Sequence, residues 1–416
     1  MDNNLKNTEP IISVGLVLPA DKQKKLIITD SKDEAIYDIG CRNNKLFVND
    51  KKLDSFKLKR KETQHNFLIT NVPAGRGFHW KKKIAIRVEG DLKVMIKDRA
   101  LFLVNYIRLE SYLMCVATSE MSGECPDSLL ESQIIAARSW LLAAVEKKHK
   151  NLGLNVCNDD CCQRYQGIRQ LTSSAINASL NTRGKVLTYH NQICDTRYSK
   201  SCGGFSENND NVWNTQPREY LKGIYDYLNK DLYDLHNEKA VTDWIKTPPP
   251  SYCNDQQFEN INIKKFLGVV DEKKEYFRWS FSSSQNQITK TINEKSSMSF
   301  TAILNLIPLI RGVSGRITKL KILGLSGTKK IEFLIDNEYE IRRVLHPDFL
   351  FSSAFIIEPN FTESLPPSNF IFRGAGWGHG VGLCQIGALG MALMGKNTNE
   401  ILSHYFSSTE IKTIYE

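Results

Sequence analysis

Apolar and polar residues alternate in short bursts along the first hundred positions. Residues 11–18, 24–29, 45–48, 67–70, 83–88, 92–96 and 100–106 each read as a strand, because a period of two puts every second side chain on one face. Turn formers such as Asn49-Asp50 and Glu89-Gly90-Asp91 separate them. The pattern predicts a disordered start at 1–10 and a β-rich lobe over 11–106. From 107 the period changes. Leu130, Ile134, Ala137, Leu141 and Ala144 recur at steps of four and three, which makes one apolar helix face. Pro126 suits the helix start, and Ser128 with Glu131 has the spacing of a capping box. Lys147, Lys148 and Lys150 would close the helix against its dipole. The spacing thus predicts a helix over 126–150, preceded by a short loop that carries Ser119-Glu120-Met121. On spacing alone, Glu120 reads more readily as an ordinary solvated acid than as a functional one.

Further helices are predicted at 173–181, 257–266 and 298–310, and strands at 276–281, 317–322, 329–335 and 354–357. Pro248-Pro249-Pro250 is a rigid break, and 359–367 a second loop. The last fifty residues begin with a glycine-rich strand and end in helix. The expectation is an α+β fold: a β-rich lobe (11–106), a mixed core (107–247), a mixed insertion or second lobe (248–358), and a C-terminal segment completing the core (359–416).

Two clusters carry candidate chemistry. Glycine occupies 374, 376, 378, 380 and 382. In an extended chain one face would be bare backbone, while the other would carry Ala375, Trp377, His379, Val381 and Leu383. Such glycines mark close approach of a ligand or of another backbone. No strand-then-helix unit surrounds them, so this is not a phosphate loop. His379 is open to three roles: second acid, substrate hydrogen-bonding group, or structural donor. Of the ten cysteines, Cys157, Cys161, Cys162, Cys194 and Cys202 lie close together in sequence, and His149 lies just upstream. Zinc and disulfides both fit such clustering. Adjacent Cys161 and Cys162 are expected to point apart, leaving one of them to join Cys157 as a ligand, and a disulfide set of Cys157–Cys162 with Cys194–Cys202 is the alternative. A thiol nucleophile, Cys115 or Cys384 with His379, lacks any local signature, and the HExxH motif of zinc hydrolases is absent.

The net charge of +9 and the pI of about 8.9 favour polyanionic partners. The basic residues are spread along the chain, and no nucleic-acid motif accompanies them. No apolar run is long enough to span a membrane, and residues 1–18 lack a signal-peptide pattern.

Several segments, in order, resemble the SpoIID/LytB family of bacterial proteins from about residue 80 onward. The family's YLxGVVxSEM stretch stands here as Tyr112-Leu113-Met114-Cys115-Val116-Ala117-Thr118-Ser119-Glu120-Met121, and its AQAVAARTY helix as Ser132 to Trp140. Its DVCxDxxHCQxY segment is Asn155 to Tyr165, its TRGxVL strand Thr182 to Leu187, and its YHSSSGGxTE segment Tyr198 to Glu207. SGR is Ser314-Gly315-Arg316, IRRxL is Ile341 to Leu345, and GRGWGHGVGMSQYGA is Gly374 to Ala388. Where the family has histidines, this chain has Cys161 and Ser199.

The resemblance implies a peptidoglycan lytic transglycosylase with Glu120 as its catalytic acid. Such an enzyme cuts MurNAc–GlcNAc strands, stripped of stem peptides, to 1,6-anhydro-MurNAc ends during division or development. Ser119, Gln133, Arg138, Tyr198, Ser201, Trp377, His379 and Gln385 are implied substrate-binding candidates, with Glu120 and the Trp377–His379 segment expected to wall one groove. No catalytic cofactor is implied. A structural zinc is, on Cys157, Cys161 in place of the family histidine, and Cys162, with His149 as a further candidate. Cys194 and Cys202 match a subset with extra cysteines, as disulfide partners or added ligands. Implied partners are glycan strands and an amidase that strips them, at an extracytoplasmic location reached through an N-terminal segment outside this sequence or by an unusual export route. The alternative is a non-catalytic glycan-binding module that activates an autolysin or amidase.

Overall fold

The computed structural model describes residues 8–77, 81–213, 215–228, 234–254, 258, 261–268, 275–362 and 366–416. The fold is α+β, and the chain divides into two compact units. The first comprises Met1–Asp195, Lys264–Glu272 and Glu410–Glu416; the second comprises Thr196–Ile263 and Lys273–Thr409.

In the first unit the early strands form two sheets. One has five strands in the order Val156–Cys157, Ile11–Val17, Ala100–Arg108, Asp91–Lys97, Ser55–Leu58. The other has six, in the order Lys51–Leu53, Lys45–Val48, Ile36–Arg42, Lys25–Asp30, Phe67–Ala74, Lys82–Val88. The Ala100–Arg108 strand, buried along most of its length, runs directly into helix α1, Leu109–Glu120. Glu9 caps the start of α1 by accepting the Glu110 N–H at 2.9 Å, an anion where the helix dipole favours one. Helix α2, Asp127–Ala143, follows, then α3, Ser173–Asn181. Leu130, Ile134 and Ala137 of α2 are buried as the spacing predicts, and so are Leu129, Ile135 and Ala136. The helix is covered on more than one side, by α1, α3 and the Lys185–Tyr189 strand.

Several expectations need correction. Glu120 is not in a loop; it is the last residue of α1. The Ser128–Glu131 capping box does not form: Pro126 holds the N-cap position, and no side chain caps it. Ala144 takes a left-handed φ of 48° and ends α2, so the three lysines fall on the connection that follows. The helix expected at 298–310 is a strand, Ala302–Arg311, whose register shifts twice between Ile303 and Ile310. Those irregularities break the alternation that identifies a strand. Of the helix expected at 257–266 only a turn, Ile263–Phe266, is seen; 257, 259 and 260 lie outside the described residues. Pro359 sits in the Phe355–Asn360 strand. That strand is at a sheet edge, where a missing N–H is tolerated.

The second unit packs the Arg278–Ser284, Asn369–Ala375 and Phe355–Asn360 sheet and the Ala302–Arg311, Ile317–Ser326 and Lys329–Ile335 sheet around one apolar cluster. That cluster includes Trp279, Phe300, Ile317, Phe355 and Phe372. Among the described residues no helix is long and apolar enough to cross a membrane.

Candidate functional site

Glu120 owes its position to the segment that carries the cysteines. Val156–Cys157 pairs in parallel with Ile11–Val17, and Asp159, fully buried, accepts the Gly75 and Arg76 backbone N–H groups at 2.9 and 2.7 Å. The chain then turns, with the Cys162 N–H on the Asp159 carbonyl at 2.8 Å, and returns past α1. There the Arg164 N–H donates to Glu120 Oε1 at 2.9 Å. The Gln166 N–H donates to Ser119 Oγ at 2.9 Å, and that hydroxyl donates to the Cys115 carbonyl at 2.5 Å. Behind them Tyr112 stacks on Tyr165 with ring centres 5.3 Å apart, and the Tyr112 hydroxyl donates to Gln163 Oε1. The acid is 8% exposed: enclosed, yet at a helix end rather than in mid-core. Ser119 lines a cleft of about 370 Å³ with Lys82, Ile84, Ile86, Gln166 and Gln170.

The same turn gathers sulfur. His149, Cys157, Cys161 and Cys162 place their ligand atoms within 4.8 Å of one another. Cys161 Sγ lies 3.1 Å from Cys157 Sγ and 3.7 Å from His149 Nε2. Hydrogen bonds from Cys157 and Cys162, with His149 beside it, hold the Cys161 thiol well below its usual range. The expectation that adjacent Cys161 and Cys162 point apart fails because they lie in a turn, where successive side chains do not alternate as they do in a strand. Three thiols and an imidazole are a tetrahedral zinc donor set, so these residues fit the metal that the sequence implied.

In the second unit the glycine-rich stretch is a strand only as far as Ala375. Gly376, Gly378, Gly380 and Gly382 then take φ of 74°, 96°, 75° and 72°, so the expected extended face does not exist. A sequence cannot separate alternate glycines in a strand from alternate left-handed turns, because both repeat every two residues. A Cβ on Gly380 would lie 2.2 Å from Arg316 Cζ, and one on Gly382 2.1 Å from the Arg197 carbonyl. Trp377 stacks on Phe351 with ring centres 4.3 Å apart and bridges Ser201 through the backbone. His379 meets the Trp213 ring edge-on at 4.8 Å, and its Nδ1 accepts the Val381 N–H at 3.0 Å. Glu207, fully buried, accepts the Ser314 hydroxyl at 2.6 Å. Arg316 donates to Ser314 Oγ at 2.9 Å and to the Phe205 carbonyl at 3.3 Å.

A profile of the stage II sporulation protein, SpoIID, matches residues 97–189, and one for a domain of unknown function matches 207–382. Stage II sporulation protein D of Bacillus subtilis is 25% identical over 326 residues, spanning 74% of this chain and 75% of that protein. Residues 97–189 thus carry a SpoIID-type domain. An uncharacterized protein of Brachyspira hyodysenteriae is 26% identical over 329 residues, 78% of this chain and 72% of its own length. The amidase enhancer of Bacillus subtilis is 23% identical over 302 residues, 71% of this chain and 39% of that protein.

Placed on the structure, the candidate residues fall in both units. Ser119 and Glu120 adjoin, in the first unit. Arg138, in the same unit, is fully buried and turned inward: it makes paired bonds to Glu110 at 3.0 and 2.5 Å and a third to the Lys185 carbonyl, a structural role rather than a substrate contact. Gln133 is likewise buried. Tyr198, Ser201, Trp377, His379 and Gln385 belong to the second unit. Ser201 and Gln385 are buried, while Tyr198, Trp377 and His379 are half-exposed. Among the ten cysteines no disulfide forms. Cys194 ends the Gln192–Ile193 hairpin, its N–H on the Leu187 carbonyl. Cys115 is fully buried, which pushes its thiol up, and Cys384 is fully buried among other sulfurs; neither is placed as an accessible nucleophile. Sequence reasoning missed Glu110, Asp226 and Cys253. Glu110 had no signal beyond being a helix-start acid; Asp226 and Cys253 had none, because their partners are remote in sequence.

Proposed function

We propose that the protein is a peptidoglycan lytic transglycosylase in which Glu120 does both the acid and the base work. One observation carries this reading: an enclosed carboxylate at the end of α1, held by the Arg164 N–H and next in the chain to Ser119, which lines a cleft. Protonated Glu120 gives its proton to the glycosidic oxygen between MurNAc and GlcNAc as the C1–O bond breaks. The C6 hydroxyl of the same MurNAc then bonds to C1, and its proton returns to the Glu120 carboxylate. The product is a 1,6-anhydro end. No water enters, so the second carboxylate of a hydrolase is not required. The cleft's Gln166 and Gln170 offer amide donors and acceptors to sugar hydroxyls. On this reading the substrate is a peptide-stripped strand outside the cytoplasm, and an amidase supplies it.

His149, Cys157, Cys161 and Cys162 would hold a structural zinc. Bound there, it would close the turn whose Arg164 and Gln166 N–H groups grip Glu120 and Ser119.

The test is incubation with peptide-free glycan strands and mass spectrometry for anhydro-muramic ends. Product from the native chain and a loss of about 10²–10⁴-fold in Glu120→Gln are expected. The similarity to an amidase enhancer favours a second reading, a glycan-binding activator. That reading predicts pelleting with glycan, no cleavage, and indifference to Glu120→Gln.

A further inference from the structure

Four side chains of the second unit, from positions 202, 226, 253 and 384, converge on one buried point. Cys202, Asp226, Cys253 and Cys384 are each at most 1% exposed, and their ligand atoms lie within 4.8 Å of one another. Cys202 Sγ is 3.7 Å from Cys253 Sγ and 3.4 Å from Asp226 Oδ2. Zinc bonds of ~2.3 Å to sulfur and ~2.0 Å to oxygen give tetrahedral edges of about 3.8 Å between sulfurs and about 3.5 Å from sulfur to oxygen. The spacing therefore suits a single ion. An iron–sulfur cluster needs ligands spread over several metal atoms.

We propose that Cys202, Asp226, Cys253 and Cys384 form a second, closed zinc site, separate from the one beside Glu120. The surroundings are those of metal-bound thiolates. Cys384 Sγ accepts the Cys202 and Gly387 N–H groups at 3.1 and 3.3 Å, and Cys202 Sγ accepts the Gly204 N–H at 3.4 Å. Backbone donors favour the ionised sulfur. Cys384 also sits at the N-cap of the Gln385–Leu393 helix, where the dipole stabilises a thiolate. Asp226 is held from behind. Its Oδ1 accepts the Tyr405 hydroxyl at 2.7 Å and lies 3.5 Å from His404 Nε2. Its Oδ2 is thereby directed at the sulfurs, as outer partners orient a ligand carboxylate. Gly387 is required for this: a Cβ there would lie 2.6 Å from Asp226 Oδ2.

A buried carboxylate among thiols is costly without a cation. A Cys202–Cys253 disulfide would leave the Cys384 thiol and Asp226 Oδ2 enclosed without a metal charge, with the His404 imidazole beside Oδ1 as the nearby compensating group. The ion's role is to tie the glycine-rich loop down at both sides: Cys384 follows the loop, and Cys202 adjoins the Ser201 bridge to Trp377. Binding releases the thiol protons to solvent.

Zinc per chain, measured by plasma mass spectrometry on the full protein purified anaerobically, tests the site. Cys253→Ser and Asp226→Ala should each hold one equivalent less than the native chain, while Asp226→Cys should keep it. Cys161→Ser should lower the other site alone, so failure of the zinc assigned beside Glu120 reads separately. Should the Cys253 variant not fold, cobalt loaded into Cys161→Ser still reports: tetrahedral thiolate bands are expected. Unchanged zinc in both Cys253→Ser and Asp226→Ala, absence of those bands, or a Cys202–Cys253 disulfide in the native mass spectrum would overturn the proposal.

Discussion

Glu110 shows how one buried acid organises a unit. It takes paired bonds from Arg138, the Tyr415 hydroxyl at 2.5 Å, Ser179 at 3.0 Å and the Gly184 N–H at 3.3 Å. Burial alone would raise its carboxyl, but the Arg138 charge and these bonds bring it below its usual value. An acid depressed on folding contributes stability that is fully present above its unfolded value of about 4.3. That stability is lost as pH falls through the folded value. Removing one partner of such a pair costs about 3–5 kcal/mol. Glu110→Gln should therefore melt well below the native protein at pH 7, and the gap should narrow as the pH drops below about 4. A gap that stays constant to low pH would show that the charge is not what matters. The residue scale was only partly legible in sequence. Glu120 was found through the motif it shares with relatives. Spacing had another signal to offer: Leu109, Tyr112, Leu113, Val116, Ala117 and Glu120 follow one helical stripe, which places the acid on the buried face of α1. Arg138 follows four apolar residues, Ile134 to Ala137, and that position gave no hint that it turns inward.

At the scale of elements, α3 and most of the early strands were readable because alternation and helical spacing were intact, whereas Ile36–Arg42, Lys51–Leu53 and Ser55–Leu58 went unread. The Ala302–Arg311 strand was not, since its register shifts disrupt the period of two, and the glycine stretch was not, since turn and strand share that period. The glycine loop yields a paired prediction. Gly380 and Gly395 both have positive φ, 75° and 81°, but only Gly380 faces an obstacle; nothing lies within 4 Å of a Cβ on Gly395. Alanine at 395 should cost about 1–2 kcal/mol for the left-handed backbone alone. Alanine at 380 should cost more, because the Arg316 guanidinium must also move, and denaturant midpoints will measure the difference. Equal losses would mean that Arg316 yields freely. The cysteine turn yields another. If the protein cleaves glycan as proposed, Cys157→Ser should reduce that cleavage through lost placement of Glu120, so kcat should fall with KM little changed. A rise in KM alone would place the turn in binding instead.

For the molecule as a whole, the division into two units follows neither the proline break nor the composition. The unit that carries Glu120 is assembled from three stretches, the last being Glu410–Glu416. The Glu410–Thr413 strand pairs with Lys185–Tyr189, Tyr415 reaches Glu110, and a Cβ on Gly184 would lie 2.0 Å from the Tyr415 carbonyl. Sequence reading assigned the C-terminal segment to the completion of a core but had no means of finding its strand partner, since pairing over such a separation leaves no local pattern. Deleting 410–416 should expose the Lys185–Tyr189 edge and lower the melting temperature of the first unit. Hydrogen exchange at 185–189 will report it, and unchanged protection there would show the strand to be dispensable.

That late strand sets an order of events during synthesis. A ribosome that has made α1, α2 and the cysteine turn has still to make more than two hundred residues before Glu110 receives its Tyr415 bond. The nascent chain therefore lacks the Tyr415 bond to Glu110 and the strand that covers Lys185–Tyr189 until translation reaches 410–416. The contacts of this strand with Lys185–Tyr189 are thus among the last of the first unit to be made.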